Sequence, residues 1–202
     1  MSRFSYEDPR RGWLLFLAIG GICYLLTYYY PLPQYQYNRY IVSQGVQLYR
    51  LITAHFMHTG EFHLVLNIIM LWSIGLLHSR HYKLWQWCLM ILMLMAGVGA
   101  GIHYLDTNTV YYIGLSGILH GLVVIGAIAD LHCQQRSGYV LLLIVVIKVA
   151  MDEFGPGFPG LQMLIQADIP ANANLFGALT GLILGLIFPF TLPRPENIKR
   201  PK

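Results

Sequence analysis

The stretch Gly114-Leu115-Ser116-Gly117-Ile118-Leu119-His120-Gly121 sets a serine between glycines where a polar loop runs into an apolar helix. Gly117 and Gly121 stand four residues apart, so one face of that helix lacks side chains and a neighbour can approach to backbone distance. A matching face lies in the last apolar stretch, where Ala173, Gly177, Gly181 and Gly185 recur every fourth residue. If the two faces meet, residue 174 comes near Ser116, and residue 174 is asparagine. A polar serine held among apolar helices is costly and is usually kept for function.

Composition agrees with a helical bundle in lipid. Of the 202 residues, 56% are apolar and 11% charged, and the mean hydropathy is +0.53. No soluble domain has that balance. Six apolar stretches follow one another: Gly12 to Tyr29, Phe62 to Leu77, Leu84 to Leu105, Ser116 to Ala129, Tyr139 to Met151 and Ala171 to Phe190. Several fall short of the roughly 20 residues a helix needs to cross the hydrocarbon core, so their ends extend into neighbouring loops or the bilayer thins there. The expectation is an all-α membrane protein, a six-transmembrane-helix bundle forming one domain over residues 1–202, with short tails at about 1–11 and 191–202.

Lysine and arginine set the orientation. Arg3, Arg10 and Arg11 precede the first stretch, Arg80 and Lys83 follow the second, and Arg136 follows the fourth. Arg194, Lys199, Arg200 and Lys202 follow the sixth. All fall on one side, which makes both termini cytoplasmic. The other side carries Arg39, Arg50, Asp106, Asp152, Glu153 and Asp168. The net charge of +4 is thus mostly topogenic, and nothing else supports nucleic-acid binding. The first stretch has no small-residue cleavage site and ends in Tyr28, Tyr29 and Tyr30, an interfacial aromatic belt rather than the end of a signal peptide. Cys23, Cys88 and Cys133 have no paired spacing and imply neither disulfides nor a metal cluster.

The loop Pro31 to Tyr49 is long, tyrosine-rich and apolar enough to lie in the interface. It leads into Arg50 and then into His55, His58, Glu61, His63 and Asn67 at the start of the second stretch. His63 and Asn67 are four apart and share a helix face; His58 falls elsewhere and suits tying down the loop. An intramembrane histidine is as often a packing residue as a functional one. A zinc site from His55, His58, Glu61 and His63 is the sharper alternative, but no His-Glu-x-x-His occurs and no helix face gathers three ligands. Acyl transfer needs a nucleophile, a base and donors aimed at an oxyanion. Ser116 and the N–H groups around it, with Gly114 permitting close approach, supply two of these, and His63 and Asn67 can add donors.

Arg50, His58, His63-x-x-x-Asn67, Gly114-Leu115-Ser116-Gly117 and Ala173-Asn174-x-x-Gly177-x-x-x-Gly181, in this order and spacing, resemble the rhomboid intramembrane serine proteases. The short form with His120 one turn after the serine looks most like the bacterial rhombosortases. The resemblance implies a serine protease without cofactor or metal. Ser116 would be the nucleophile of a serine–histidine dyad, with His63, Asn67, Ser116 and Gly114 around the oxyanion and Arg50, His58, Gly117, Gly177 and Gly181 as structural residues. It further implies a laterally opening fifth helix, membrane-anchored protein substrates, and an inner-membrane site open to the periplasm.

Tyr49 stands where many members have tryptophan, and His120 where others have an aromatic. Asn174 stands at the position of the base histidine, and an amide cannot accept a proton near neutral pH. It can only hydrogen-bond to Ser116, so the chain as written is expected to be nearly inactive. Three readings follow: a substitution introduced to remove the base, a pseudoprotease that binds membrane segments without cutting, or His120 acting as base from the same helix. Outside the protease class stands a binder, chaperone or channel for transmembrane segments; a transporter finds few charged residues, with Lys148 and Asp130 near span ends.

Overall fold

A computed structural model describes residues 9–155 and 171–188. Arg3, Asp168 and the basic residues after Phe190 lie outside the described residues. Long helices cover all six apolar stretches: α1 (Pro9–Tyr29), α5 (Glu61–His78), α6 (Leu84–Ala100), α7 (Ser116–His132), α8 (Ser137–Phe154) and α9 (Ala171–Ile187). The loop after α1 carries the short helices α2 (Leu32–Tyr35), α3 (Arg39–Ser43) and α4 (Arg50–Thr53). Three spans, Gly12–Tyr29, Glu61–His81 and Leu84–Leu105, are long and apolar enough to cross a membrane; Ser116–His132 and Asn172–Ile187 are apolar but shorter.

The centre is α7. Every residue from Gly117 to Asp130 is buried, so this helix meets protein on all sides while α1, α5, α6, α8 and α9 turn exposed leucines and valines outward. Its most extensive interface is with α9. A Cβ placed on Gly117 would stand 2.7 Å from the Ala173 carbonyl, and one on Gly177 or Gly181 would overlap the carbonyl of Gly117 or Gly121. The every-fourth-residue pattern therefore meets its partner as expected. Trp87, Met90 and Leu94 of α6 and Leu119 and Leu122 of α7 belong to one buried apolar cluster.

The long loop folds rather than floats. Tyr37–Asn38 (β1) pairs antiparallel with Tyr111–Tyr112 (β2), joining the first loop to the segment before Ser116. The end of α6 widens into a π turn over Gly101–Leu105, which frees carbonyls that need donors. Arg39 supplies them: Nε donates to Thr109 O at 2.9 Å, and the two terminal nitrogens to His103 O at 2.8 Å, Ile102 O at 2.5 Å and Asp106 O. Arg50 does the same for the first loop, donating to Gln47 Oε1 at 2.7 Å, Pro33 O at 2.8 Å and Gln36 O at 2.7 Å. One guanidinium with five fixed donors suits each task where an ammonium does not.

Asp106 closes the next turn. Its carboxylate accepts from Asn108 N at 3.0 Å, Thr109 N at 3.3 Å and Thr109 Oγ1 at 2.6 Å. Burial opposes its charge, but the hydrogen bonds from Thr109, Asn172 and the backbone outweigh it and hold the carboxyl below the usual carboxylate range. A depressed pKa gives stability that is complete above the ordinary carboxylate value and lost as pH falls through the folded one. Asp106→Asn is therefore expected to lower thermal stability in detergent by about 1 kcal/mol at pH 7, with the difference closing below about pH 4. A gap that persists at pH 2 would mean that the turn depends on shape rather than charge.

Candidate active site

Four helices and one loop converge at the end of the bundle where α7 begins. Ser116 occupies the first turn of α7, and its Oγ is buried without a hydrogen-bond partner among the described residues. The preceding Gly114 has φ of 106°, a left-handed conformation that favours glycine. Two bonds hold it there: its N–H donates to Ala54 O at 2.9 Å, and its carbonyl accepts from Tyr112 Oη at 2.8 Å. His55 backs Tyr112, edge to face at 5.4 Å, and bonds Met95 O through Nε2 at 3.1 Å.

Gly114 also leaves space. A Cβ there would stand 2.7 Å from His63 Nε2 and 4.0 Å from Asn67 Nδ2, so both α5 side chains face the loop before the serine. Thr59 Oγ1 lies 3.1 Å from His63 Nδ1; with the hydroxyl donating, the imidazole proton sits on Nε2, an atom that has no partner among the described residues. Asn67 Nδ2 donates to His63 O at 3.0 Å. His58 packs edge-on against His63 at 4.8 Å and reaches Thr27 Oγ1 at 3.5 Å. Burial holds His55 down to about 4 and His58 to about 3, so both are neutral near pH 7. His55, His58, Glu61 and His63 do not gather into a metal-ligand group; the group that does form among the described residues is elsewhere.

Asn174 is 3% exposed at the start of α9. The sequence suggested a hydrogen bond from its amide to Ser116. Instead Nδ2 donates to Asp152 Oδ2 at 2.9 Å, and Oδ1 has no partner among the described residues. Asp152 in turn holds Lys148 at 2.5 Å, four residues earlier on α8. His120 lies within electrostatic reach of both and bonds the Ser116 carbonyl through Nδ1 at 2.8 Å. Since a carbonyl only accepts, that bond puts the proton on Nδ1 and leaves Nε2 as the basic atom.

Sequence reasoning brought Ser116, Gly114, His63, Asn67, His120 and Asn174 to one end of the bundle, and the structure gathers them there. It missed Asp152 as the partner of position 174, Tyr112 as the brace on Gly114, and Arg39 as the clamp on the loop. Asp152 carried a legible signal: Lys148 and Asp152 are an i,i+4 pair, unusual on an otherwise apolar helix.

Residues 45–191 match the Rhomboid domain family. A curated relative, RHOMBOID-like protein 4 of Arabidopsis thaliana, is 25% identical over 152 residues, covering 72% of this chain and 35% of the relative, so the chain spans about a third of that protein's length. With the family matched across most of the sequence and apolar helices in all six stretches, the chain is a multi-pass membrane protein that belongs to the rhomboid family.

Proposed function

We propose that this protein carries the site of an intramembrane serine endopeptidase whose base position is filled by Asn174. The observation that supports the reading is that His63 and Asn67 of α5 face the left-handed Gly114, two residues before Ser116, whose Oγ is buried. Ser116 would attack the scissile carbonyl. The oxyanion would be met by His63 Nε2 and Asn67 Nδ2 together with the backbone N–H of Ser116 and the Gly114 loop. No cofactor or metal enters this chemistry.

In this reading six helices span the membrane with both termini cytoplasmic and form one domain, and the Ser116 end opens to the periplasm of a bacterial inner membrane. Arg80, Arg136 and the start of α1 all lie at the opposite end, which supports the orientation by the positive-inside bias. Substrates would be single-pass membrane proteins. If the rhombosortase likeness extends to specificity, they would be exported proteins held by a C-terminal glycine-rich signal, one hydrophobic helix and a basic end.

A second reading has its own support. The Asn174 amide is committed to Asp152 rather than to Ser116, which suits a non-catalytic protein that binds transmembrane segments. Fluorophosphonate labelling in detergent separates the two. Label that appears in Asn174→His and vanishes when Ser116→Ala is added is the expected result. Label on the unaltered chain that is lost in His120→Gln would make His120 the base, and no label on any version would leave the binder.

A further inference from the structure

We propose that His78, His81 and Asp130 form a site for one divalent transition-metal ion, at the end of the bundle away from Ser116. Asp130 lies fourteen residues along α7 from Ser116, about 21 Å at helical rise. The two sites are therefore separate, and this one stands or falls apart from the protease reading. One ligand atom from each residue lies within 4.8 Å of the others, and all three side chains are buried.

The geometry is close to what a metal needs. Asp130 Oδ1 stands 2.9 Å from His81 Nε2 and 3.6 Å from His78 Nδ1. Two ligands about 2.0–2.2 Å from a tetrahedral ion stand roughly 3.3–3.6 Å apart, so small shifts seat an ion between them. The second distance is too long for a hydrogen bond. His78 Nδ1 is thus a polar atom on a residue 2% exposed, 3.6 Å from a carboxylate and without a hydrogen-bond partner among the described residues. Such an atom costs free energy unless something pairs with it.

The surroundings are built around that ring. A Cβ on Gly126 would stand 2.5 Å from His78 Cδ2 and 2.9 Å from Nδ1, so glycine there makes the room. Ser137 Oγ donates to Asp130 Oδ2 at 2.8 Å and orients the carboxylate, a common support for a metal-binding group. Trp87 Nε1 donates to Ser79 O at 3.1 Å, which fixes the turn between the two histidines.

Two imidazoles and a carboxylate suit Zn²⁺ and its first-row neighbours, whereas Ca²⁺ and Mg²⁺ prefer all-oxygen sets. Three protein ligands leave one tetrahedral position for water. Binding moves the proton between His81 Nε2 and Asp130 to His81 Nδ1, so the ring stays neutral. The cation would also balance the buried Asp130 carboxylate.

Co²⁺ titration of the full chain in detergent, after stripping with chelator, reads the site directly. One equivalent should give a visible ligand-field band that Zn²⁺ abolishes and Mg²⁺ does not. Asp130→Asn and His78→Gln should weaken Co²⁺ binding by about 100-fold or more, while His103→Gln leaves it unchanged. Should either ligand variant fail to fold, the melting temperature of the unaltered chain decides: it should rise with Zn²⁺ and not with Mg²⁺. No band from the intact protein, or the same band in folded Asp130→Asn and His78→Gln, overturns the proposal.

Discussion

Asn174→His is expected to raise hydrolysis of a membrane-anchored reporter by roughly 10³–10⁵-fold, because a base at this position supplies what an amide cannot. The gain should depend on a residue that sequence alone does not place. Asp152 Oδ2 already accepts a hydrogen bond from position 174, so an imidazole there would find a carboxylate ready to orient it. Adding Asp152→Asn to Asn174→His should then remove about tenfold or more of the gained rate while leaving the melting temperature nearly unchanged. The loss should stay below the ~10⁴ that a dedicated triad carboxylate can contribute, since Asp152 also serves Lys148. A reporter cut equally well by the single and double variants would show that the histidine orients itself. An inert Asn174→His would remove the serine chemistry altogether.

The second large effect is structural. Gly177→Leu should prevent α9 from docking on α7, because the new Cβ would occupy the place of the Gly117 carbonyl oxygen and backbone cannot yield as a side-chain tip does. Overpacking a core usually costs about 1–3 kcal/mol, and a clash with main chain belongs at or above the top of that range. Even Gly177→Ala should lower the melting temperature in detergent clearly. Gly21→Ala is the control. That glycine has nothing within 4 Å of an added Cβ, so the change should be neutral or slightly stabilising through helix propensity. Equal behaviour of the two alanine variants would mean that the α7–α9 contact is looser than the glycine pattern implies.

Much of this was written in residue spacing. The repeat of Gly177, Gly181 and Gly185 names a face because helical geometry leaves no other arrangement for small residues four apart, and it needed only Gly117 and Gly121 to find its partner. His63 and Asn67 were likewise joined by helical period. The loops after α1 and after α6 resisted for a different reason. Arg39 and Asp106 act on backbone carbonyls and amides, which every residue possesses, so no partner type marks them in sequence. The Asn174–Asp152 bond crosses from one helix to another, and a period along one helix carries no information about the register between two. The cluster of His78, His81 and Asp130 escaped for the same reason: its members come from two helices and a short turn, with His81 and Asp130 49 positions apart.

The enclosure of α7 separates two lengths that are usually tied together. At 17 residues it extends about 25 Å, less than the roughly 30 Å of hydrocarbon, whereas the 21- and 22-residue spans that include α5 and α6 reach about 32 Å. Mismatch is a penalty levied by lipid on helices that touch it. A helix wrapped by its neighbours is exempt, so the outer ring alone sets the fit to the bilayer. The short strut inside can begin below the level of the headgroups, because the helices around it and not acyl chains meet its end.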